Sequence, residues 1–308
     1  MIRVFIDGSA GTTGLRIRQR LEARGDIALI TLDEAVRKDI DARREALNAA
    51  DIAFLCLPDA AAEEAVQLVR NSHTAVIDTS TAHRTAAGWT YGMPELPGRR
   101  EAIAASKRIA NPGCHASGFI ALIAPLVAAG IVARDARLSC FSLTGYSGGG
   151  KRMIAEYESP DRSDLLAAPR QYGLSQRHKH LAEMAKVCGL EAPPGFSPIV
   201  ADFYSGMEVS VHLFDVDVER VRDVYRAAYP GPVIRYAEAT DEGGFLSAAA
   251  LSGRDDMEIT VDGFDGRALL TARFDNLGKG ASGAAIQNMN LVMGVDETTG
   301  LCLKGEEK

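Results

Sequence analysis

Ile2-Arg3-Val4-Phe5-Ile6-Asp7-Gly8-Ser9-Ala10-Gly11-Thr12-Thr13-Gly14 opens the chain. An apolar run broken only by Arg3 meets three glycines spaced GxxGxxG, and residues 15–24 then carry helical spacing, with Leu15, Ile17 and Leu21 among arginines. A buried strand turning sharply into a helix is the start of a βαβ unit. Glycines in such a turn let the backbone approach a pyrophosphate, whose charge the first N–H groups of the helix can hold. The spacing differs from the commoner GxGxxG, so its place directly after the first strand carries the reading. A plain tight turn is the alternative.

Outward from that turn the alternation continues. Apolar runs at 27–32, 52–57 and 75–77 are separated by helical stretches at Ile40–Ala49 and 60–70. Short buried strands between helices predict a parallel, doubly wound sheet with right-handed crossovers. Farther on the period changes. Residues 205–214 alternate, with Met207, Val209, Val211 and Leu213 on one face, and 245–251, Met257–Phe264 and 268–274 are further strand candidates. That pattern predicts a second, α+β domain with a mostly antiparallel sheet covered on one side, together with an amphipathic helix at 218–229. Residues 281–293, small and apolar, read as a closely packed helix.

Composition bounds the function. The 308 residues carry a net charge of −7, are 46% apolar and 24% charged, and fit an ordered two-domain globular protein. Mild acidity argues against a nucleic acid or an anionic membrane as partner. The most apolar stretch, 119–133, contains Pro125 and Gly130 and is too short to span a bilayer, which takes roughly 20 residues. Five scattered cysteines without CxxC or zinc spacing, and no signal-peptide pattern, predict a reducing, cytoplasmic setting and no metal site.

Among those cysteines Cys114 stands apart. Asn111-Pro112-Gly113-Cys114 lies between a strand-like 107–110 and an apolar helix read as starting near Ser117, so the thiol sits at a helix mouth, where the dipole favours the thiolate. Cys56 and Cys140 fall in apolar strand runs and read as inert core. On spacing alone Cys114 is equally a nucleophile or a packing residue. A nucleophilic thiol needs a proton shuttle, and His178-Lys179-His180, with Arg177 beside it, offers imidazoles together with cations for an anionic substrate. Gly145-Tyr146-Ser147-Gly148-Gly149-Gly150-Lys151 reads as a flexible loop or an anion-binding nest, and it lacks the P-loop pattern. Ser80, Thr81 and Arg84 follow a strand whose carboxyl end would face a ligand. Asp33, 19 residues beyond Gly14, would favour a free ribose hydroxyl, whereas Arg37 and Lys38 would meet a 2′-phosphate; the residues leave both open.

Taken in order, Gly8–Gly14, Asp78-Thr79-Ser80-Thr81-Ala82-His83-Arg84, the NPGC run, Ser147–Lys151 and His178-Lys179-His180 resemble the N-acetyl-gamma-glutamyl-phosphate reductase family, in the shorter of its two branches. The resemblance implies an NADP-dependent reductase of arginine biosynthesis that acts on a small acyl phosphate, releases inorganic phosphate and works as a homodimer or homotetramer. It implies a dinucleotide-binding domain of residues 1–113 completed by 284–308, and a catalytic and oligomerisation domain of 114–283. It also implies Cys114 as nucleophile, with His180 as acid/base and His178 positioning substrate. Gly8, Ser9, Ala10, Gly11, Thr12, Thr13, Gly14, Arg37, Lys38 and Ser80 would hold the cofactor. Arg84, Asn111, Ser147, Lys151 and Arg177 would hold the substrate. His115 stands where the family often has tyrosine, which makes a third histidine a competitor for the base, and Ala182 stands where it often has proline. The same chemistry on aspartyl or aminoadipyl phosphate, and a non-catalytic NADP(H) sensor, remain as alternatives.

Overall fold

The computed structural model describes residues 1–239 and 242–303. The chain divides into two compact units, one of Met1–Pro112 with Ala281–Leu301, the other of Gly113–Gly280 with Cys302 and Leu303. The boundary thus falls just before the NPGC run ends, at Pro112/Gly113. Cys302 leaves the first unit because its backbone pairs with Asp255, N–H to carboxylate at 2.8 Å and carbonyl to N–H at 2.7 Å.

The first unit runs β1 (Ile2–Asp7), α1 (Thr12–Glu22), β2 (Ile27–Ile30), α2 (Ile40–Ala49), β3 (Ile52–Leu55), α3 (Asp59–Leu68), β4 (Ala75–Asp78), β5 (Thr90–Tyr91), α4 (Arg99–Ala105) and β6 (Arg108–Ala110). The strands form one sheet in the order β2-β1-β3-β4-β6-β5, every pair parallel. All residues of β3 and β4 are buried, as strands with helices on both faces must be. From β1 the chain turns one way to β2 and then back past β1 to β3. The carboxyl ends of β1 and β3 are therefore the switch point where such sheets bind ligands.

The second unit runs α5 (Cys114–Ala128), β7 (Ser139–Gly145), α6 (Gly150–Glu158), β8 (Arg170–Gln171), α7 (Leu181–Cys188), β9 (Gly195–Ala201), β10 (Met207–Leu213), α8 (Val218–Ala228), β11 (Ile234–Tyr236), β12 (Met257–Phe264) and β13 (Arg267–Phe274); the chain then returns to the first unit as α9 (Gly283–Met293). The second sheet, β11-β12-β13-β10-β7-β9-β8, is mixed: β7–β9 and β11–β12 are parallel and the remaining pairs antiparallel. Apolar nearly all round, α5 is the central helix of this unit. It lies so close to the sheet that a Cβ on Gly118 would stand 2.5 Å from the Val209 side chain. Pro125 within α5 has no N–H, which strips the Ala121 carbonyl of its intrahelical donor. The Tyr229 hydroxyl replaces that donor at 2.8 Å, and Tyr225 donates to the next carbonyl, of Leu122. A lost helix bond is thus turned into the docking point of the segment around α8.

Two sequence expectations differ from the structure. Residues 245–251 form no strand but turns, because Ser247 N–H donates to Glu242 and the Arg273 guanidinium grips the Glu242 carboxylate and the Ser247 carbonyl; three successive alanines, 248–250, offer no β-branched face to a ladder. The central helix begins at Cys114 rather than near Ser117, since the Ser117 N–H already bonds the Gly113 carbonyl at 2.8 Å.

Candidate active site

In the first unit the glycine turn lies on the switch point. Gly8 adopts φ +89°, and a Cβ there would come within 2.3 Å of the Cys56 carbonyl at the end of β3; a Cβ on Gly14 would strike the Gly8 carbonyl at 2.5 Å. Gly11, by contrast, has room for a Cβ, which would stand at ordinary contact distance, 3.5 Å from the Gly8 carbonyl. α1 starts from Gly11 with no side-chain cap and no acidic residue in its first turn, which leaves its amide dipoles for an anion. Beside the turn opens a cavity of about 440 Å³, lined by Gly8, Ser9, Ala10, Leu32, Arg37 and Lys38 among others. A glycine cradle, an uncapped helix and an adjoining pocket fit a dinucleotide. Asp33 does not line this cavity.

Sequence reasoning gave no role to Asp7 and Arg43, which lie beneath the turn. Arg43 of α2 donates Nε at 3.1 Å and Nη2 at 3.0 Å to one Asp7 oxygen. Burial pushes the Asp7 carboxyl up, and Arg43 opposes the shift.

The loop after β4 braces itself. Ser80 donates its hydroxyl to Asp78 at 2.7 Å, and the His83 ring, stacked on Trp89 at 4.0 Å, meets the same carboxylate at 2.6 Å. Arg84 donates to the main-chain carbonyls of Asn111 and Thr79. The Asn111 side chain donates to the Ala281 carbonyl and accepts from Asn288 of α9, whose amide also reaches the Gly92 carbonyl. Ser80 thus braces the loop after β4, Arg84 ties that loop to Asn111 at the start of NPGC, and Asn288 is a partner of Asn111 that no sequence signal announced.

In the second unit Cys114 opens α5, half-buried, with Gly113 as an N-cap without side-chain help. Gly280 leaves it room: a Cβ there would sit 2.9 Å from that of Cys114. The next residue faces the other way. His115 is buried, with Nδ1 2.6 Å from Ser142 Oγ and Nε2 2.7 Å from the Tyr172 hydroxyl. Burial pushes its pKa down to about 3, with His178 and Lys179 adding like-charge repulsion, so the ring is neutral and both its nitrogens are engaged. It does not compete for the base role. Tyr172 is itself pushed upward, by burial and then by the charge of Cys114, and stays protonated.

His178 and His180 have ring centroids 4.8 Å apart, and His178 Nδ1 accepts the His180 N–H at 3.3 Å. His180 is buried at the start of α7, with Nε2 3.9 Å from Glu183 Oε1; the second oxygen of Glu183 accepts the Gly113 N–H at 3.3 Å. One buried carboxylate therefore stands between the His180 imidazole and the residue before Cys114. Its spacing of three from His180, one helical turn, was the available signal. Replacing Glu183 by Gln keeps its shape but removes the charge facing His180. We expect kcat to fall about 10- to 100-fold with KM little changed, the range seen when an orienting partner is lost; steady-state kinetics will read it.

The remaining expected residues are more peripheral. Arg177 is exposed. The glycine cluster is no flexible loop: Tyr146–Gly149 form a 3-10 turn that runs into α6, Ser147 is buried and accepts from Asn276 Nδ2 at 3.0 Å, and Lys151 stands exposed in the first turn of α6. Among the described residues no group of three or more His, Cys, Asp or Glu could hold a metal, and no helix is long and apolar enough to cross a membrane.

Residues 114–276 match the family described as semialdehyde dehydrogenase, dimerisation domain, and residues 18–106 match semialdehyde dehydrogenase, NAD binding domain. N-acetyl-gamma-glutamyl-phosphate reductase 2 of Nostoc sp. is 44% identical over 97% of this chain and 99% of its own length. The N-acetyl-gamma-glutamyl-phosphate reductase of Brucella anthropi is 46% identical over 95% and 98%. Aspartate semialdehyde dehydrogenase II of Vibrio cholerae shares the fold, with a TM-score of 0.71 over 95% of this chain and 98% of its own, at 17% identity.

Proposed function

The chain belongs to the N-acetyl-gamma-glutamyl-phosphate reductase family, and from that premise we propose that it reduces N-acetyl-glutamyl 5-phosphate to N-acetyl-glutamate 5-semialdehyde with NADPH, through a thioester on Cys114, in arginine biosynthesis. The observation that carries this is the buried Glu183 carboxylate, 3.9 Å from the His180 imidazole and accepting the backbone N–H that precedes a cysteine at a helix start.

His180 takes the Cys114 proton, and the thiolate attacks the acyl phosphate. The carbonyl carbon–sulfur bond forms as the carbon–oxygen bond to phosphate breaks, and the imidazolium returns the proton to the departing phosphate. NADPH, when bound by the glycine turn and the cavity beside it, supplies the hydride that reduces the thioester. The first N–H groups of α5, at His115 and Ala116, have no intrahelical acceptor and stabilise the oxyanion in both halves. Collapse of that oxyanion releases the aldehyde and expels the Cys114 thiolate, and a proton taken from solvent through His180 restores the thiol for the next turnover. His178 orients the substrate beside His180, and Arg177 and Lys151 supply charge for its anionic groups. Ser80, Arg84 and Asn111 act by fixing their loop, and Ser147 by fixing the start of α6.

Supporting a homo-oligomer, the second unit matches a dimerisation domain and leaves Phe141 and Phe264 exposed, at 47% and 79%. Five free cysteines suit a cytoplasmic enzyme.

Reversibility supplies the test. With N-acetyl-glutamate 5-semialdehyde, NADP⁺ reduction followed at 340 nm should require inorganic phosphate or arsenate and should prefer this aldehyde over aspartate semialdehyde. Phosphate-independent turnover, or the opposite preference, would overturn the assignment.

A further inference from the structure

The cavity beside the glycine turn carries a charge pattern that none of the relatives' names explains. Four of its lining residues are cations, Arg18, Arg37, Lys38 and Arg43, against two carboxylates, Asp7 and Glu34. This local surplus sits in a chain whose net charge is −7. The two carboxylates pair off within the cavity: Asp7 with Arg43 at 3.0 Å, and Glu34 with Arg37 at 2.7 Å. What is left over is Arg18 and Lys38. Lys38 makes no ion pair among the described residues. Arg18 gives its Nε to Glu22 at 2.7 Å, a residue outside the cavity lining, and its guanidinium has four further N–H donors.

The end of β2 is equally telling. There a dinucleotide fold that takes NAD places a carboxylate on the ribose diol. Here β2 stops at Ile30, and the residues that follow into the cavity are Thr31 and Leu32, a hydroxyl and an alkyl group. Asp33 lies outside the lining. Neither of the two residues directly after β2 carries a carboxylate, and the two carboxylates that line the cavity, Asp7 and Glu34, are paired with Arg43 and Arg37, while Leu15, one turn before Arg18 on α1 and 42% exposed, gives the neighbouring adenine an apolar wall.

We infer that Arg18 of α1 closes on the 2′-phosphate of the coenzyme together with Lys38, and that this pair sets the preference for the phosphorylated dinucleotide. The inference rests on the reductase reading above, and it adds a specificity residue on a helix face that contributes to the cavity from outside the glycine turn.

Calorimetric titration of the whole protein with adenosine 2′,5′-bisphosphate and with ADP separates the two ideas, because neither ligand reports on Cys114. Arg18→Ala and Lys38→Ala should each weaken the bisphosphate about tenfold, the loss of one charge-assisted contact, and leave ADP within twofold. Thr31→Asp, which restores the missing carboxylate, should likewise weaken only the bisphosphate. Both replaced cations are exposed, and unchanged thermal melts will confirm folding. Equal losses for both ligands, or no loss for the bisphosphate, overturn the role of Arg18 and Lys38 while leaving the reductase reading intact. Failure of the wild-type protein to bind either nucleotide overturns the coenzyme site itself.

Discussion

Cys114→Ser will abolish reduction, lowering kcat by at least ~10³-fold, the scale on which removal of a covalent nucleophile is felt. The hydroxyl fits the same place at the start of α5, but a serine hydroxyl is a far weaker acid than a thiol and does not supply the nucleophilic anion at neutral pH. NADPH affinity should be unchanged, since the coenzyme cradle belongs to the first unit. Two measurements make the result specific. Mass spectrometry of wild-type enzyme mixed with acyl phosphate in the absence of NADPH should show one acyl adduct on Cys114, missing from the variant. Iodoacetamide should label Cys114 well ahead of the half-buried Cys56 and the buried Cys140, whose thiols desolvation pushes up, Cys56 to about 12. A serine variant that keeps near wild-type turnover would remove the covalent step, and with it the role assigned to His180.

Sequence legibility followed a physical line. β1, β3 and β4 were readable because strands buried on both faces must be short apolar runs, and β10 because a sheet covered on one side must alternate. The two-residue β5 and the charged start of α4, Arg99-Arg100-Glu101, carry neither signal. The false strand at 245–251 shows the limit of apolar counting: Arg273 holds that segment from a distance of more than 20 residues, and no local pattern announces it. The same holds at the site. The residues proposed to react, one cysteine after Pro-Gly and two histidines, could be singled out because chemistry restricts such types. Glu183 and Asn288, which fix geometry, were not, because a buried carboxylate or amide looks like any polar helical residue until its partner is placed. Arg18 lay between. Leu15, Arg18 and Glu22 share one helix face, and the charge on that face has a meaning only once a cavity adjoins it.

His115 supplies the second large effect, and it acts on stability rather than turnover. An imidazole held near 3 in the folded chain returns to about 6.5 when the chain unfolds. The unfolded state therefore binds this proton at every pH between those values and the folded state does not, so stability falls as pH drops below about 6.5. Each unit of pH costs about 1.4 kcal/mol, and the loss approaches roughly 5 kcal/mol near pH 3, a large share of a domain's total. Above pH 6.5 the group contributes no pH dependence. His115→Gln keeps a donor and an acceptor for Ser142 and Tyr172 but cannot titrate. Urea unfolding of both proteins at pH 7 and pH 4.5 isolates the effect: the wild type should lose about 2–3 kcal/mol more than the variant over that interval. Carboxylates titrate in both chains and cancel in the difference. An equal loss would mean that the ring takes up its proton in the folded state, and His115 would then be a third imidazole that exchanges protons near neutral pH. The assignment of acid/base work to the His178–His180 pair therefore hangs on an unfolding curve as much as on kinetics.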